Sequence, residues 1–258
     1  ILAKPHVRFP ALSFFTLAAA AAVPAPTGQS DPSSAMEVSL PAIDNAARYT
    51  RLTASDYEAV ARELGISTAC IRAVVEIETG NCGEGFGPDS LPLINFDITM
   101  FRKYARLRGI DIASYHKSHP TVFAKADAGR HGGSMQRAQY ARLQSAMEID
   151  TVAALEGTFW GMFQIGGFNW KLCGCESVEQ FVDRMAYSER EQLELFASYV
   201  KARKLDRWLV KTDWAAFALR YNGPGYRKQA YDTRLARAYR KFNSEQPTST
   251  NNKPTVNP

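Results

Sequence analysis

One carboxylate of the chain, Glu78, continues the apolar face of a predicted helix over residues 67–78. It follows Ile71, Val74 and Val75 by seven, four and three residues, and residues at these spacings share a helix face. Burial and the negative end of the helix dipole both disfavour a charged carboxylate, so we expect a raised pKa for Glu78. An acid that stays protonated near neutral pH is the proton donor that cleavage of a glycosidic bond requires.

Two further acids bear on this chemistry. Glu76 lies two residues before Glu78, so we expect it to point away from the apolar face and into water. Asp97 is the single acid in the apolar run 92–97 and is the candidate for a second carboxylate across a glycosidic bond. The alternative for Asp97 is that it caps a helix beginning near Thr99.

The segment 160–170 combines aromatic residues, glycines and two amides. Gln164 and Asn169 lie among apolar neighbours, including Trp160 and Phe168, and a buried amide must find a hydrogen-bond partner. Such a segment is typical of a cleft that binds a polar, flat-faced ligand such as a sugar. The alternative is a core helix that ends in a glycine turn.

These residues must be positioned by helices, because nearly everything from Thr53 onward has helical periodicity. The predicted fold class is all-α, and residues 86–96 are the one place where a short β-hairpin fits. Predicted helices after 67–78 cover 99–108, 136–147, 151–163, 177–187, a helix starting at 188, 212–221 and 228–242. Gly65 is placed to end the first helix. Three pairs have the spacing of capping boxes: Ser55 with Glu58, Ser177 with Gln180, and Ser188 with Glu191.

Both ends of the chain are predicted to lie outside the folded domain, which is expected to span 49–243. In residues 1–48, Lys4 and Arg8 precede an apolar run in the pattern of a secretory signal, which predicts export to the periplasm or beyond the cell, with delivery to a target cell wall as the other route. The alternative is an Ala/Pro-rich linker. The tail 244–258 has the polar composition of a disordered segment.

Composition excludes several classes of protein. The net charge is +5 with 22% charged residues, but no dense Lys/Arg block favours nucleic acid, and no run in the folded part is apolar enough to cross a membrane. Cys173 and Cys175 are too close in sequence to pair comfortably, and their spacing does not suit a zinc knuckle. We expect no metal and no cofactor, and a single disulfide remains an open possibility among the four cysteines.

With these pieces in place, the chain resembles the N-acetylmuramidase family of phage endolysins and related bacterial effectors over about residues 52–242. The segment Ala73–Gly80 is similar to the family's catalytic glutamate before a Ser/Thr-Gly turn, and Ala153–Asn169 to its most recognisable stretch. Further similar segments are His119–Pro120, Gly132–Gly133, Tyr140–Leu143 and the turn Tyr221–Pro224. The resemblance implies a lysozyme-like helical fold with Glu78 as the catalytic residue. One departure concerns the family's motif Phe-Glu-Arg-His. The matching residues here are Phe96–Thr99, so the acid at the second position is the shorter Asp97.

The resemblance implies hydrolysis of the β-1,4 bond between N-acetylmuramic acid and N-acetylglucosamine, with peptidoglycan strands as the partner. Glu78 would protonate the leaving oxygen, and Asp97 would activate water or stabilise the transition state. Gln164, Asn169, Tyr221 and Asn222 would hold sugar amides and hydroxyls, while Trp160 or Phe168 stacks on a ring. Two alternatives stay open, a lytic transglycosylase with a 1,6-anhydro product and a non-catalytic wall-binding module. An immunity or inhibitor protein is a further conceivable partner.

Overall fold

A computed structural model of the protein describes residues 50–80, 84–87, 90–124 and 133–245. The chain divides after Arg48 into two units, and all described residues belong to the second, which begins at Tyr49. The predictions for the segment 1–48 and for the tail beyond Glu245 therefore lie outside the described residues, as does Cys82.

Helices make up most of the described chain, which confirms the predicted helical class. Within the described ranges, three short 3-10 helices occupy Ile112–Tyr115, Gly167–Asn169 and Pro224–Gln229. The α-helices, in chain order, are α1 Ala54–Leu64, α2 Thr68–Glu78, α3 Ile98–Leu107, α4 Pro120–Phe123, α5 Gly133–Met147, α6 Thr151–Glu156, α7 Val178–Met185, α8 Glu189–Ala202, α9 Asp206–Val210, α10 Trp214–Tyr221 and α11 Tyr231–Ser244.

A small antiparallel sheet joins distant parts of the chain in the order β1 (Ile94–Phe96), β2 (Thr158–Trp160) and β3 (Ile165–Gly166). The expected hairpin within 86–96 is reduced to a single bridge between Phe86 and Pro92, because β1 pairs instead with β2. The prediction of one helix over 151–163 is wrong, since α6 ends at Glu156 and β2 follows directly.

Gly157 explains why the helix ends where it does. A Cβ atom at this position would lie 2.7 Å from the backbone N and Cα of Phe101, so only glycine allows the chain to pass this close to α3. The carbonyl of Gly157 then accepts a hydrogen bond from the backbone N–H of Asp97 at 3.1 Å. This contact brings the start of β2 beside the end of β1.

Local sequence signals determine several helix ends. Gly65 has φ of +67° and ends α1 as predicted. Ser177 and Ser188 accept hydrogen bonds from the N–H groups three residues on and so cap α7 and α8. The box expected at Ser55 is wrong by two residues, because α1 begins after Thr53, whose N–H donates to Asp56.

The outer edge of β1 is covered by side chains of α5 instead of a fourth strand. Gln136 accepts a hydrogen bond from the N–H of Ile94 at 3.0 Å and donates to its carbonyl at 3.1 Å. Gln139 accepts from the N–H of Phe96 at 3.0 Å, and Arg142 donates to the Phe96 carbonyl at 3.3 Å. An exposed strand edge would otherwise leave these groups open to other strands.

The helix that carries the candidate acid lies at the centre of the core. In α2, Ala69, Ile71, Ala73 and Val74 are fully buried, and α11 packs along it. A helix surrounded in this way holds its last residue in a fixed place. Among the described residues, no helix has both the length and the apolar character needed to cross a membrane.

Candidate active site

Glu78 is the last residue of α2 and is half-buried. Its Oε1 accepts a hydrogen bond from Nδ2 of Asn222 at 3.3 Å. Ile71, Val74 and Val75 are all buried, so the apolar face that Glu78 continues is the core face, as the periodicity predicted. The carboxyl group therefore lies where the core meets solvent.

Tyr221, at the end of α10, lies within electrostatic reach of this carboxyl. Its ring stacks on Phe217 at 5.5 Å and packs edge-on against Phe196. Burial raises the pKa of Tyr221 well above its ordinary value, and the nearby charge of Glu78 raises it further. The hydroxyl donates to the carbonyl of Phe163 at 3.1 Å, so its proton is engaged within the protein and only the oxygen could accept from a sugar.

Asn222 contacts the candidate acid directly. Its Oδ1 is buried and has no hydrogen-bond partner among the described residues, whereas its Nδ2 donates to Glu78. The next residue, Gly223, has φ of +83°, which turns the chain sharply after α10. The side chain that was expected to hold a sugar amide thus also positions the acid.

Glu76 does not project freely into water as expected. Its Oε2 lies 2.8 Å from Nζ of Lys241 in α11, and the side chain is 31% exposed. The expectation holds in part, because the side chain stays partly exposed while α11, which packs against α2, supplies the lysine. The two glutamates still point in different directions, as their spacing required.

Asp97 is the N-cap of α3, which confirms the structural alternative considered for it. Its Oδ1 accepts hydrogen bonds from the N–H groups of Thr99 at 2.7 Å and Met100 at 3.0 Å. Burial lowers the pKa of Arg142, and the charge of Asp97 opposes that shift, so the buried guanidinium lies within electrostatic reach of the carboxylate.

Trp160 does not present a ring to a ligand. It is 3% exposed, and its indole N–H donates to the carbonyl of Leu155 at 3.1 Å. The expectation that it stacks on a sugar is wrong, because alternate residues of β2 face the core and Trp160 is one of them. Phe168 is half-buried and keeps the possibility of stacking.

The two amides of the segment lie at its surface. Gln164 has φ of +48° in the turn between β2 and β3, and its Nε2 donates to the carbonyl of Gly161 at 2.9 Å. Asn169 is half-buried in the 3-10 helix Gly167–Asn169. Both side chains thus lie at positions that a ligand can reach. In the described part of the chain the hydrogen bonds of Gln164 use its Nε2, so its Oε1 is available to accept from a ligand.

Sequence analysis missed two side chains of α8 that hold this region in place. Gln192 is fully buried, accepts from the N–H of Met162 at 2.8 Å and donates to the carbonyl of Gly85 at 3.3 Å. Glu189 is 3% exposed and accepts from the N–H groups of Leu52 and Gly85. The available signal was a pair of polar residues three apart on the apolar face of a helix.

The cysteines are core residues in the described part of the chain. Cys70, Cys173 and Cys175 are buried with free thiols, and burial raises the pKa of both Cys70 and Cys173 to about 12. No cluster of His, Cys, Asp or Glu that could hold a metal occurs among the described residues.

Comparisons with known proteins identify the family and a similar solved structure. The family model for N-acetylmuramidase matches residues 67–243, which is more than half of the chain. A crystal structure of the Burkholderia AP3 phage endolysin is similar to the protein, with 37% sequence identity and a TM-score of 0.66 over 75% of this chain and 72% of that chain. No curated protein matches the chain. The matched range contains Glu78, Asp97, the segment 160–170 and Asn222.

Proposed function

Because the chain belongs to the N-acetylmuramidase family, we propose that it cleaves the β-1,4 bond between N-acetylmuramic acid and N-acetylglucosamine with Glu78 as general acid. The family and the likeness to a phage endolysin establish the coarser activity, a glycoside hydrolase that degrades peptidoglycan. Peptidoglycan lies outside the cytoplasmic membrane, so the enzyme acts there. The bond and the residue roles are the parts we propose.

The observation that carries the proposal is the contact between Glu78 and Asn222. A carboxyl group at the end of a buried helix, held by an amide and within electrostatic reach of Tyr221, has a defined orientation and is half-buried. A carboxyl group held in this way can donate a proton to a leaving group once it is protonated. Glu76 is instead paired with Lys241, on a different side of α2 from Asn222.

The reaction follows from this geometry. Glu78 donates its proton to the glycosidic oxygen while the bond from that oxygen to the anomeric carbon breaks. The hydroxide portion of a water molecule then bonds to the anomeric carbon, and the remaining proton of the water returns to the protein. Gln164 and Asn169 offer surface amides that would orient the sugars of the strand.

Asp97 would stabilise positive charge on the sugar or direct the water. Asp97 already accepts the two hydrogen bonds that cap α3. This favours the alternative, a lytic transglycosylase, because that reaction needs only one acid/base group and does not require Asp97. In that route the hydroxyl at C6 of muramic acid replaces water and gives the 1,6-anhydro ring.

The test is digestion of purified peptidoglycan, followed by turbidity and by mass spectrometry of the products. Clearing with reducing ends on muramic acid supports the muramidase, whereas products lighter by one water identify a transglycosylase. Reducing ends on N-acetylglucosamine would contradict the proposed bond. Binding without clearing would contradict catalysis and favour a wall-binding module.

A further inference from the structure

The outer face of the sheet presents an aromatic surface beside an exposed amide, at some distance from the candidate acid. Asn95 in β1 lies directly opposite Phe159 in β2. Their neighbours on both strands are buried, whereas Asn95 is exposed and Phe159 is half-buried. Because side chains alternate across a strand, both residues belong to the face that points away from the core.

Two more rings extend this surface. Phe168 packs edge-on against Phe159 with ring centres 6.0 Å apart, and stacks on Tyr104 of α3 at 5.5 Å with the planes 14° apart. All three rings are half-buried. A Cβ atom on Gly166 would collide with the ring of Phe168, so a glycine in β3 makes room for this ring. We call Tyr104, Phe159 and Phe168 the aromatic platform.

The aromatic platform and Glu78 lie toward different ends of β1. The carbonyl of Leu93 accepts from the N–H of Gly161 at 2.8 Å, in the turn that also contains Phe163, the acceptor for Tyr221. The start of β1 is thus on the side of the candidate acid. Strands rise about 3.3 Å per residue, so Asn95 lies roughly 7 Å further along and Asp97 roughly 13 Å.

We propose that the aromatic platform and Asn95 form a subsite for an N-acetylhexosamine of the glycan strand, in the direction in which β1 runs from the side of Glu78 toward Asp97. The flat, apolar face of such a sugar packs on half-exposed rings, and its hydroxyls and acetamido group bond to amides. Asn95 supplies an exposed amide beside Phe159, and Asn169 follows Phe168 directly. This subsite rests on the proposed function, since it binds a sugar of the strand that Glu78 cleaves.

The test measures binding without cleavage, in the full-length chain with Glu78→Gln. The probe is a peptide-free hexasaccharide of peptidoglycan, released with an amidase and purified by size, and the readout is Kd from calorimetry. Phe159→Ala should weaken binding about three- to tenfold, the loss expected for one stacked ring. Phe159→Tyr keeps the ring and should restore most of the affinity.

Two further variants make the result decisive. Asn95→Ala changes only an exposed side chain and should weaken binding about threefold while the protein melts normally. Tyr239→Ala removes a half-buried ring that packs on Trp214 in the α10–α11 region, and should leave Kd unchanged. Unchanged Kd in both Phe159→Ala and Asn95→Ala would overturn the subsite, and so would absence of hexasaccharide binding to the parent. Failure of the wild-type chain to degrade peptidoglycan would instead overturn the proposed function.

Discussion

Glu76 and Glu78 are a matched pair of acids on one helix with different neighbours. Glu78 contacts Asn222 after α10, and Glu76 contacts Lys241 on α11. We predict that Glu78→Gln removes most activity, because glutamine keeps the size of the side chain but cannot donate the proton. General acid catalysis contributes roughly 100- to 10,000-fold, and turbidity clearing of peptidoglycan measures the loss.

Glu76→Gln is the control for this experiment. It breaks a partly exposed ion pair, which is worth about 0.2–1 kcal/mol, and should clear peptidoglycan at nearly the wild-type rate. Both variants should melt close to the wild-type temperature. A Glu78→Gln protein that is folded and fully active would exclude Glu78 as the acid, whatever the control shows.

Asp97 allows a second residue-scale prediction, because its two possible roles can be separated. Asn is as good an N-cap as Asp, so Asp97→Asn should keep the hydrogen bonds to the N–H groups of Thr99 and Met100 and fold normally. If Asp97 is the second carboxylate of a hydrolase, we expect activity to fall by roughly 100-fold or more. Near-normal activity with anhydro products would contradict that role and support the single-acid route.

At the scale of elements, the sequence was most informative where structure is determined locally. Gly65, Ser177 and Ser188 end or begin helices because their own backbone or side chain meets the nearest free groups. The burial of the α2 face and the direction of Glu78 likewise follow from spacing along one helix.

The sheet could not be predicted in the same way. Residues 158–160 form β2 because β1, much earlier in the chain, pairs with them, and this tertiary contact overrides their helical periodicity. Trp160 was placed wrongly for the same reason, since a helix and a strand turn different residues toward the core. The contact of Asn222 with Glu78 also joins segments that are distant in sequence, and spacing along one element carries no information about it.

The cover that α5 provides for β1 leads to a prediction about stability. Gln139→Ala leaves the buried N–H of Phe96 without its acceptor, and an unsatisfied buried group costs about 1–3 kcal/mol. We expect a loss of this size in the free energy of unfolding, measured with urea. Gln144→Ala, on the same helix but only half-buried, should change it much less. Equal effects of the two substitutions would mean that α5 does not support the strand edge in this way.

At the scale of the whole molecule, the family match and the described residues fall within the same part of the chain. The match begins at residue 67, while the described residues begin at Thr50, whose carbonyl accepts from the N–H of Glu189. Glu189 in turn accepts from the N–H of Leu52. Residues 50–52 are thereby hydrogen-bonded to α8, and the folded unit includes them although they precede the family match.

This arrangement leads to a prediction about truncation. Removal of residues 1–48 should leave a protein that melts cooperatively and clears peptidoglycan in vitro, because the contacts of Thr50 and Leu52 with Glu189 are kept and the removed segment is rich in Ala, Pro and Ser. Removal of residues 1–53 should lower the melting temperature further. It also deletes the hydrogen bonds of Thr50 and Leu52 to Glu189, and it deletes Thr53, the N-cap of α1. Each lost buried hydrogen bond costs about 1 kcal/mol, and calorimetric melting of the two truncated proteins measures the difference. If the shorter truncation already abolishes cooperative melting, residues 1–48 are part of the folded domain and the boundary at 48 is wrong.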